Sequence, residues 1–249
     1  MAGPVIDVRA TGVPEERWEQ WRRGRAPLPL PEAPHLIVVA AHPDDETLGA
    51  GGLVAMAHAA GTAITIVNVT DGEASHPNSP SHSPSRLAAI RTDEARSAAR
   101  ELGAGAPVRL GLPDGEIAAY EDALTDELRA LLDGFGAGGA VCAATWRYDG
   151  HPDHEAVGRA AATACGDTNT ELLQYPVWMW QWASPDDVRL RSCTPAVLTL
   201  PPAVQAAKGR AISHFRSQLL PLSEDPVDAA IVPTHVLRRF TGPTETYFR

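Results

Sequence analysis

Short apolar runs alternate along the chain with longer stretches in which alanine, leucine and charge share a helical period. After its first residue, His35-Leu-Ile-Val-Val-Ala-Ala41 is apolar without a break, as a strand buried on both faces requires. Residues 63–69, 108–110, 139–146, 172–177 and 196–200 repeat that signal. Between them the pattern predicts helices over Leu48–Ala60, closed by Gly61, and over Arg86–Leu102, closed by Gly103. Further helices are predicted over Glu121–Leu132, from His151 onward and over Pro202–Leu219, with an extended tail from about Ile231. Residues 74–85, rich in Ser, Pro and His, follow neither period and read as an exposed loop beside a strand end, where a lid could sit. The β-α alternation predicts an α/β, Rossmann-like fold: a mostly parallel sheet with helices on both faces. In such sheets ligands collect at the C-terminal ends of the strands, near the switch in strand order.

The first 34 residues break the alternation. Trp18 and Trp21 stand among charges, and a proline-rich run follows from Pro27 to Pro34. This predicts an N-terminal arm, 1–34, leading into a single domain, 35–249, of ordinary size for one core. A formal net charge of −10 argues against a sequence-independent grip on nucleic acid or on an anionic membrane. No apolar run approaches the roughly 18–20 residues of a membrane span, and Met1–Arg25 has no signal-like apolar core. The expectation is a cytoplasmic protein with neither nucleic acid nor membrane as partner. Cys142, Cys165 and Cys193 lack CxxC spacing and read as small buried hydrophobes in a reducing compartment. Trp178, Trp180 and Trp182 alternate, so a strand would put them on one face: a packed or interfacial patch, or a platform for a sugar or aryl ring. With the arm, that patch leaves room for a homo-oligomer.

Two clusters carry chemistry. His42-Pro-Asp-Asp-Glu46 follows the first strand. Three carboxylates and an imidazole within five residues repel or take up protons unless a cation joins them. Capping the next helix would explain one of these aspartates but not the whole group. His151-Pro-Asp-His154 follows the strand ending near Trp146, with Asp153 placed to cap a helix and His154 one position inside it. Two histidines and one aspartate form a three-ligand set with open coordination, the pattern of catalytic zinc, at one ion per chain. The same ligand types suit Fe2+ in non-haem oxygenases, which makes iron the alternative metal. Gly49-Ala-Gly51-Gly52 only partly matches a dinucleotide fingerprint and follows acidic residues that would repel a pyrophosphate.

Ala41-His-Pro-Asp-Asp-Glu46 together with His151-Pro-Asp-His154 resembles the LmbE/PIG-L family of zinc-dependent N-deacetylases. Thr70-Asp-Gly-Glu73, Arg91-Thr-Asp-Glu94, Leu112-Pro-Asp-Gly115 and Lys208–Gln218 are similar to further segments of that family, in order over about residues 35–220. The resemblance implies that His42, Asp45 and His154 bind zinc, that Asp44 is the general base, and that His151 faces the oxyanion with Asp153 tuning it from behind. It places Glu73, Arg91 and Asp114 at the sugar, although Arg91 with Glu94 also reads as a helical ion pair and Asp114 as a turn residue. The implied activity is removal of an N-acetyl or similar N-acyl group from an amino sugar or glycoconjugate, in specialised metabolism or thiol-cofactor synthesis. Two other classes share the residues: an iron(II) oxygenase, and a non-catalytic carbohydrate-binding relative.

Overall fold

The computed structural model describes residues 6–249; of the arm, residues 1–5 lie outside the described residues. The strands are β1 (Ala26–Pro27), β2 (His35–Ala40), β3 (Ala63–Asn68), β4 (Val108–Arg109), β5 (Ala140–Thr145), β6 (Glu171–Tyr175), β7 (Pro195–Thr199) and β8 (Thr244–Phe248). They form one sheet in the order β1-β7-β8-β6-β5-β2-β3-β4. Every pairing is parallel except those of β8, which runs antiparallel to β6 and to β7. The helices are α1 (Glu15–Arg22), α2 (Asp45–Ala59), α3 (Pro84–Glu101), α4 (Glu121–Asp133), α5 (Pro152–Thr168), α6 (Met179–Trp182), α7 (Val188–Arg191), α8 (Pro202–Ile212), α9 (Arg216–Leu219) and α10 (Thr234–Leu237).

Strand β2 explains the layering. Leu36 and Val38 pack with Leu53 of α2, Ala98 of α3 and Ile212 of α8, whereas Ile37 and Val39 pack with Leu128 of α4 and Val157 of α5. Alternate side chains of a strand point to opposite faces, so an uninterrupted apolar run is what a doubly covered strand needs. The chain leaves β2 toward β3 on one side and returns to its other side at β5. That reversal opens a crevice beyond the C-terminal ends of β2 and β5, where both charged clusters stand. No helix among the described residues is long and apolar enough to cross a membrane.

Three expectations change. The helix over 202–219 is two, because Phe215 leaves helical geometry (φ −79°, ψ 56°) and turns its ring into the core. The tail is not extended throughout: a 3-10 turn at Pro226–Asp228 and α10 precede β8. The tryptophan run is helix α6 and its entry, not a strand, so its rings diverge. Trp180 packs edge-on to Trp18 of α1 with ring centres 5.0 Å apart, and Trp182 lies beneath Arg189 at 3.9 Å. Trp178 remains half-buried beside the crevice.

One buried carboxylate ties β8 to α2. Glu245 accepts from the backbone N–H of Gly52 (2.6 Å) and Leu53 (2.9 Å), from Lys208 Nζ (2.6 Å) and from the Tyr247 hydroxyl (2.7 Å). A Cβ at Gly52 would stand 2.9 Å from Glu245 Oε1 and 2.5 Å from Leu200, so this contact requires glycine. Gly49 meets Tyr175 of β6 in the same way, with 2.1 Å left for a Cβ. The apparent dinucleotide fingerprint is therefore close packing of helix on sheet.

Candidate metal centre

The turn after β2 carries His42 to Asp45, and α2 starts at Asp45. Asp44 sits at φ 122°, a backbone conformation that is costly for a residue with a Cβ. Arg91 of α3 holds it there. Its Nη2 donates to the Pro43 carbonyl (2.6 Å) and the Asp44 carboxylate (3.3 Å), and its Nη1 donates to the Gly72 carbonyl (2.9 Å). From the neighbouring strand end, His151 caps α5 by accepting the Asp153 backbone N–H at its Nδ1 (3.2 Å). His154 lies one turn further on and is fully buried.

Hydrogen bonds decide which ring nitrogens remain. Nε2 of His42 is taken by Asp114 Oδ1 (3.0 Å) and Asp153 Oδ2 (3.2 Å), and Nδ1 of His154 by Asp149 Oδ2 (2.8 Å). Nδ1 of His42 and Nε2 of His154 are thus left facing each other 3.2 Å apart. Asp45 Oδ2 closes a triangle at 3.4 Å from the first and 3.3 Å from the second. Ligands of one tetrahedral zinc, each about 2.0–2.2 Å from it, stand roughly 3.3–3.6 Å apart. The edges of 3.2, 3.3 and 3.4 Å fall within about 0.1 Å of that range, and the two facing ring nitrogens need a shared cation or proton, with Asp45 Oδ2, which also accepts the His42 backbone N–H (2.9 Å), beside both. Ring nitrogens of His42, His151 and His154 also lie within 4.8 Å of one another, as do ligand atoms of His42, Asp114 and Asp153. The latter contacts are already explained by the bonds to His42 Nε2.

The electrostatics agree. Burial pushes the Asp44 carboxyl well up; Arg91 and His42 oppose this, while Asp45 and Glu46 add to it. Glu46, fully buried with Asp45 nearby, rises to about 7. Asp45 goes the other way, to about 2, because His154 and His42 outweigh its burial. For His42, burial pulls down but the bonds to Asp114, Asp153 and Asp45 prevail and raise it well above 6.5. A divalent cation in the triangle would replace that proton and offset the acidic crowd. The residues present fit a metal ion.

Other expected site residues fall as follows. Asp44, His151, Arg91 and Asp114 line a pocket of about 170 Å3 together with His42 and Asp45. Asp114 is held by the Ala74 N–H (2.7 Å) and by His42; despite burial, His42 and Arg91 keep its carboxyl below the usual range. Glu73 does not line the pocket: Oε1 accepts the backbone N–H of Asp114 (3.0 Å), and Oε2 is buried without a partner. The Asp153 carboxylate turns to His42 and to the backbone N–H of Gly115 (2.7 Å) and Ile117 (3.1 Å), making no bond to the His151 ring. Its charge does raise the His151 pKa, but burial and the neighbouring His154 and His42 prevail and hold it at about 3. At that value the His151 ring is neutral at pH 7.

Asp149 was missed. Fully buried, it accepts from His154 and the backbone of Trp178 (2.9 Å) at Oδ2, and from Val177 (2.9 Å) and Met179 (3.0 Å) at Oδ1. In sequence it is a single aspartate in a Tyr-Asp-Gly turn; only the fold brings residues 177–179 around it.

Comparison with known proteins follows the same lines. A family profile described as PIG-L, GlcNAc-PI de-N-acetylase, matches residues 37–165, just over half of the chain. The 1D-myo-inositol 2-acetamido-2-deoxy-alpha-D-glucopyranoside deacetylase of Mycobacterium avium (strain 104) is 38% identical over 88 residues, 33% of this chain. That match spans only 29% of the relative's own length. The fold is shared with N,N'-diacetylchitobiose deacetylase from Pyrococcus horikoshii: TM-score 0.58, 22% identity, 83% of this chain and 80% of that one. It is shared too with a deacetylase of the teicoplanin biosynthesis pathway: TM-score 0.67, 17% identity, 86% and 96% coverage.

Proposed function

The chain belongs to the PIG-L family, and on that premise we propose that it is a zinc-dependent hydrolase removing an N-acetyl or similar N-acyl group from an amino sugar or glycoconjugate. The observation that carries this reading is the triangle of His42 Nδ1, Asp45 Oδ2 and His154 Nε2, with every other ring nitrogen of the two histidines already bonded. Zinc held by these three atoms supplies a Lewis acid that polarises an amide carbonyl and acidifies water.

The chain's own residues do the rest. Asp44, held by Arg91 at the pocket wall, accepts a proton from the water whose oxygen adds to the amide carbon. As the C–N bond breaks, that proton goes to the departing nitrogen, leaving a free amine and a carboxylic acid, which releases the second proton of the water to solvent and leaves as carboxylate. His151 offers a hydrogen bond to the oxygen that gains charge. Its Nδ1 is occupied by the Asp153 N–H, so the neutral ring carries its proton on Nε2, where it can donate. Arg91 and Asp114, on the β3–β4 side, meet the sugar hydroxyls, and Glu73 acts one step back by fixing the Asp114 backbone.

The test is metal content together with acetate release from N-acetylated amino sugars, before and after chelation. About one zinc per chain and chelator-sensitive release are expected. Asp44→Asn should keep the metal and lose roughly 10²–10⁴-fold in turnover. Loss of less than about tenfold would remove Asp44 from the role of base, and failure to take up zinc at neutral pH would remove the reading itself.

A further inference from the structure

The pocket is chemically two-sided, and the order of the strands makes it so. The candidate metal ligands come from the ends of β2 and β5, in the middle. On the β3–β4 side stand Ala74 and the polar Ser75, Arg91 and Asp114, while Gln218 of α9 and the apolar Ile231 and Val232 also line the pocket. On the β6 side stand Val177 and Trp178, which follow β6 directly, and Leu48, on the turn of α2 whose Gly49 packs against Tyr175 of β6. Trp178 is the only one of the three clustered tryptophans left facing the pocket, since Trp180 is spent on Trp18 and Trp182 on Arg189. Its backbone is fixed by Asp149, so this wall is rigid.

An amide carbon gripped between the two walls has its nitrogen on one side and its acyl group on the other. With the sugar amine toward Arg91 and Asp114, the acyl group points at Leu48, Val177 and Trp178. The pocket volume of about 170 Å3 is shared between the two walls and the candidate ligands in the middle, so the acyl side takes only a short chain. A methyl group is smaller than the indole of Trp178, the one half-buried member of a wall whose Leu48 and Val177 are buried, and leaves part of that ring uncovered.

We propose that the Leu48–Val177–Trp178 wall is an acyl-recognition surface, with Trp178 its specificity-determining residue, and that the protein takes N-acyl amino sugars with short linear acyl chains longer than acetyl. This rests on the hydrolase reading above and adds the class of acyl group. The experiment uses the zinc-loaded protein and the N-acetyl, N-propanoyl, N-butanoyl and N-hexanoyl derivatives of glucosamine, following release of the free amine. kcat/KM rises about fourfold for each of the first two methylenes, the factor that ~0.8 kcal/mol per buried CH2 gives. Trp178→Ala lowers the butanoyl-to-acetyl ratio by about tenfold. Calorimetric binding of acetate, propanoate, butanoate and hexanoate to the same protein needs no turnover and no variant, and is expected to tighten along the same series. A fall in kcat/KM from acetyl to butanoyl, a flat carboxylate series, or a folded Trp178→Ala protein with an unchanged ratio would each overturn the proposal. Cleavage of no derivative, acetyl included, would count against the hydrolase reading instead, and the carboxylate series would still decide the wall.

Discussion

Replacing Asp149 by asparagine is the most informative single perturbation. The carboxylate accepts four N–H groups, two at each oxygen, in a place fully closed to solvent. The amide has one oxygen and an NH2 group, so in either orientation two donors face another donor. One orientation abandons His154 Nδ1–H and the Trp178 N–H, and the other abandons Val177 and Met179. Each buried bond left unmade costs about 1–3 kcal/mol, which makes a loss of roughly 2–6 kcal/mol for the pair. The group behind a metal-binding imidazole also sets its orientation and basicity, and removing it typically weakens metal binding about 10–100-fold. Urea unfolding of the metal-free protein measures the first effect, and competition with a chromophoric chelator measures the second. A variant within about 0.5 kcal/mol of its parent, the range of an ordinary surface change, and within about threefold in zinc affinity would refute the assignment of this carboxylate as the joint between His154 and the pocket wall.

Other outcomes follow from particular contacts. Burial pushes the Asp228 carboxyl up, but hydroxyls of Ser223, Ser79 and Ser81 prevail and hold it at about 2. A depressed acid stabilises the fold above its unfolded pKa, near 4, and stops doing so as the pH falls through its folded value. Asp228→Asn is therefore expected to lower Tm at pH 7, with the gap to the parent closing between about pH 4 and pH 2; a gap independent of pH would refute this. Gly49→Ala adds a methyl 2.1 Å from the Tyr175 ring, and overpacking of about 1–3 kcal/mol or more should outweigh the ~1 kcal/mol that alanine gains in a helix. Gly209→Ala in α8 meets nothing within 4 Å and should stabilise by up to about 1 kcal/mol, so the two urea midpoints are expected to move in opposite directions.

What the sequence disclosed and what it hid divide along physical lines. β2 and β5 were legible because a strand covered on both faces needs consecutive apolar residues, and few other elements tolerate them. The acidic crowd at 42–46 was legible because its cost demands a partner. Asp149 was not, since an aspartate in a turn is ordinary until the fold sets three backbone N–H groups and an imidazole around it. Trp178–Trp182 misled because alternation over five residues also fits just over one helical turn, in which Trp178 and Trp182 share a face while Trp180 points away. Glu73 and Asp153 show the same limit: motif spacing brings a carboxylate to a site without saying which neighbour it will face.

The place of β8 has a consequence for biosynthesis. This strand is the latest in sequence, yet it lies inside the sheet, between β6 and β7, and its Glu245 grips the helix that begins with Asp45. Until residues 244–248 have left the ribosome, β6 and β7 lack their shared neighbour and α2 lacks that anchor. An interrupted nascent chain would expose an open sheet margin and a loosely held HPDDE segment, a form suited to chaperone capture rather than metal uptake. On the proposed metal reading, the candidate ligands on the turn into α2 reach their final positions only after Glu245 has closed on that helix.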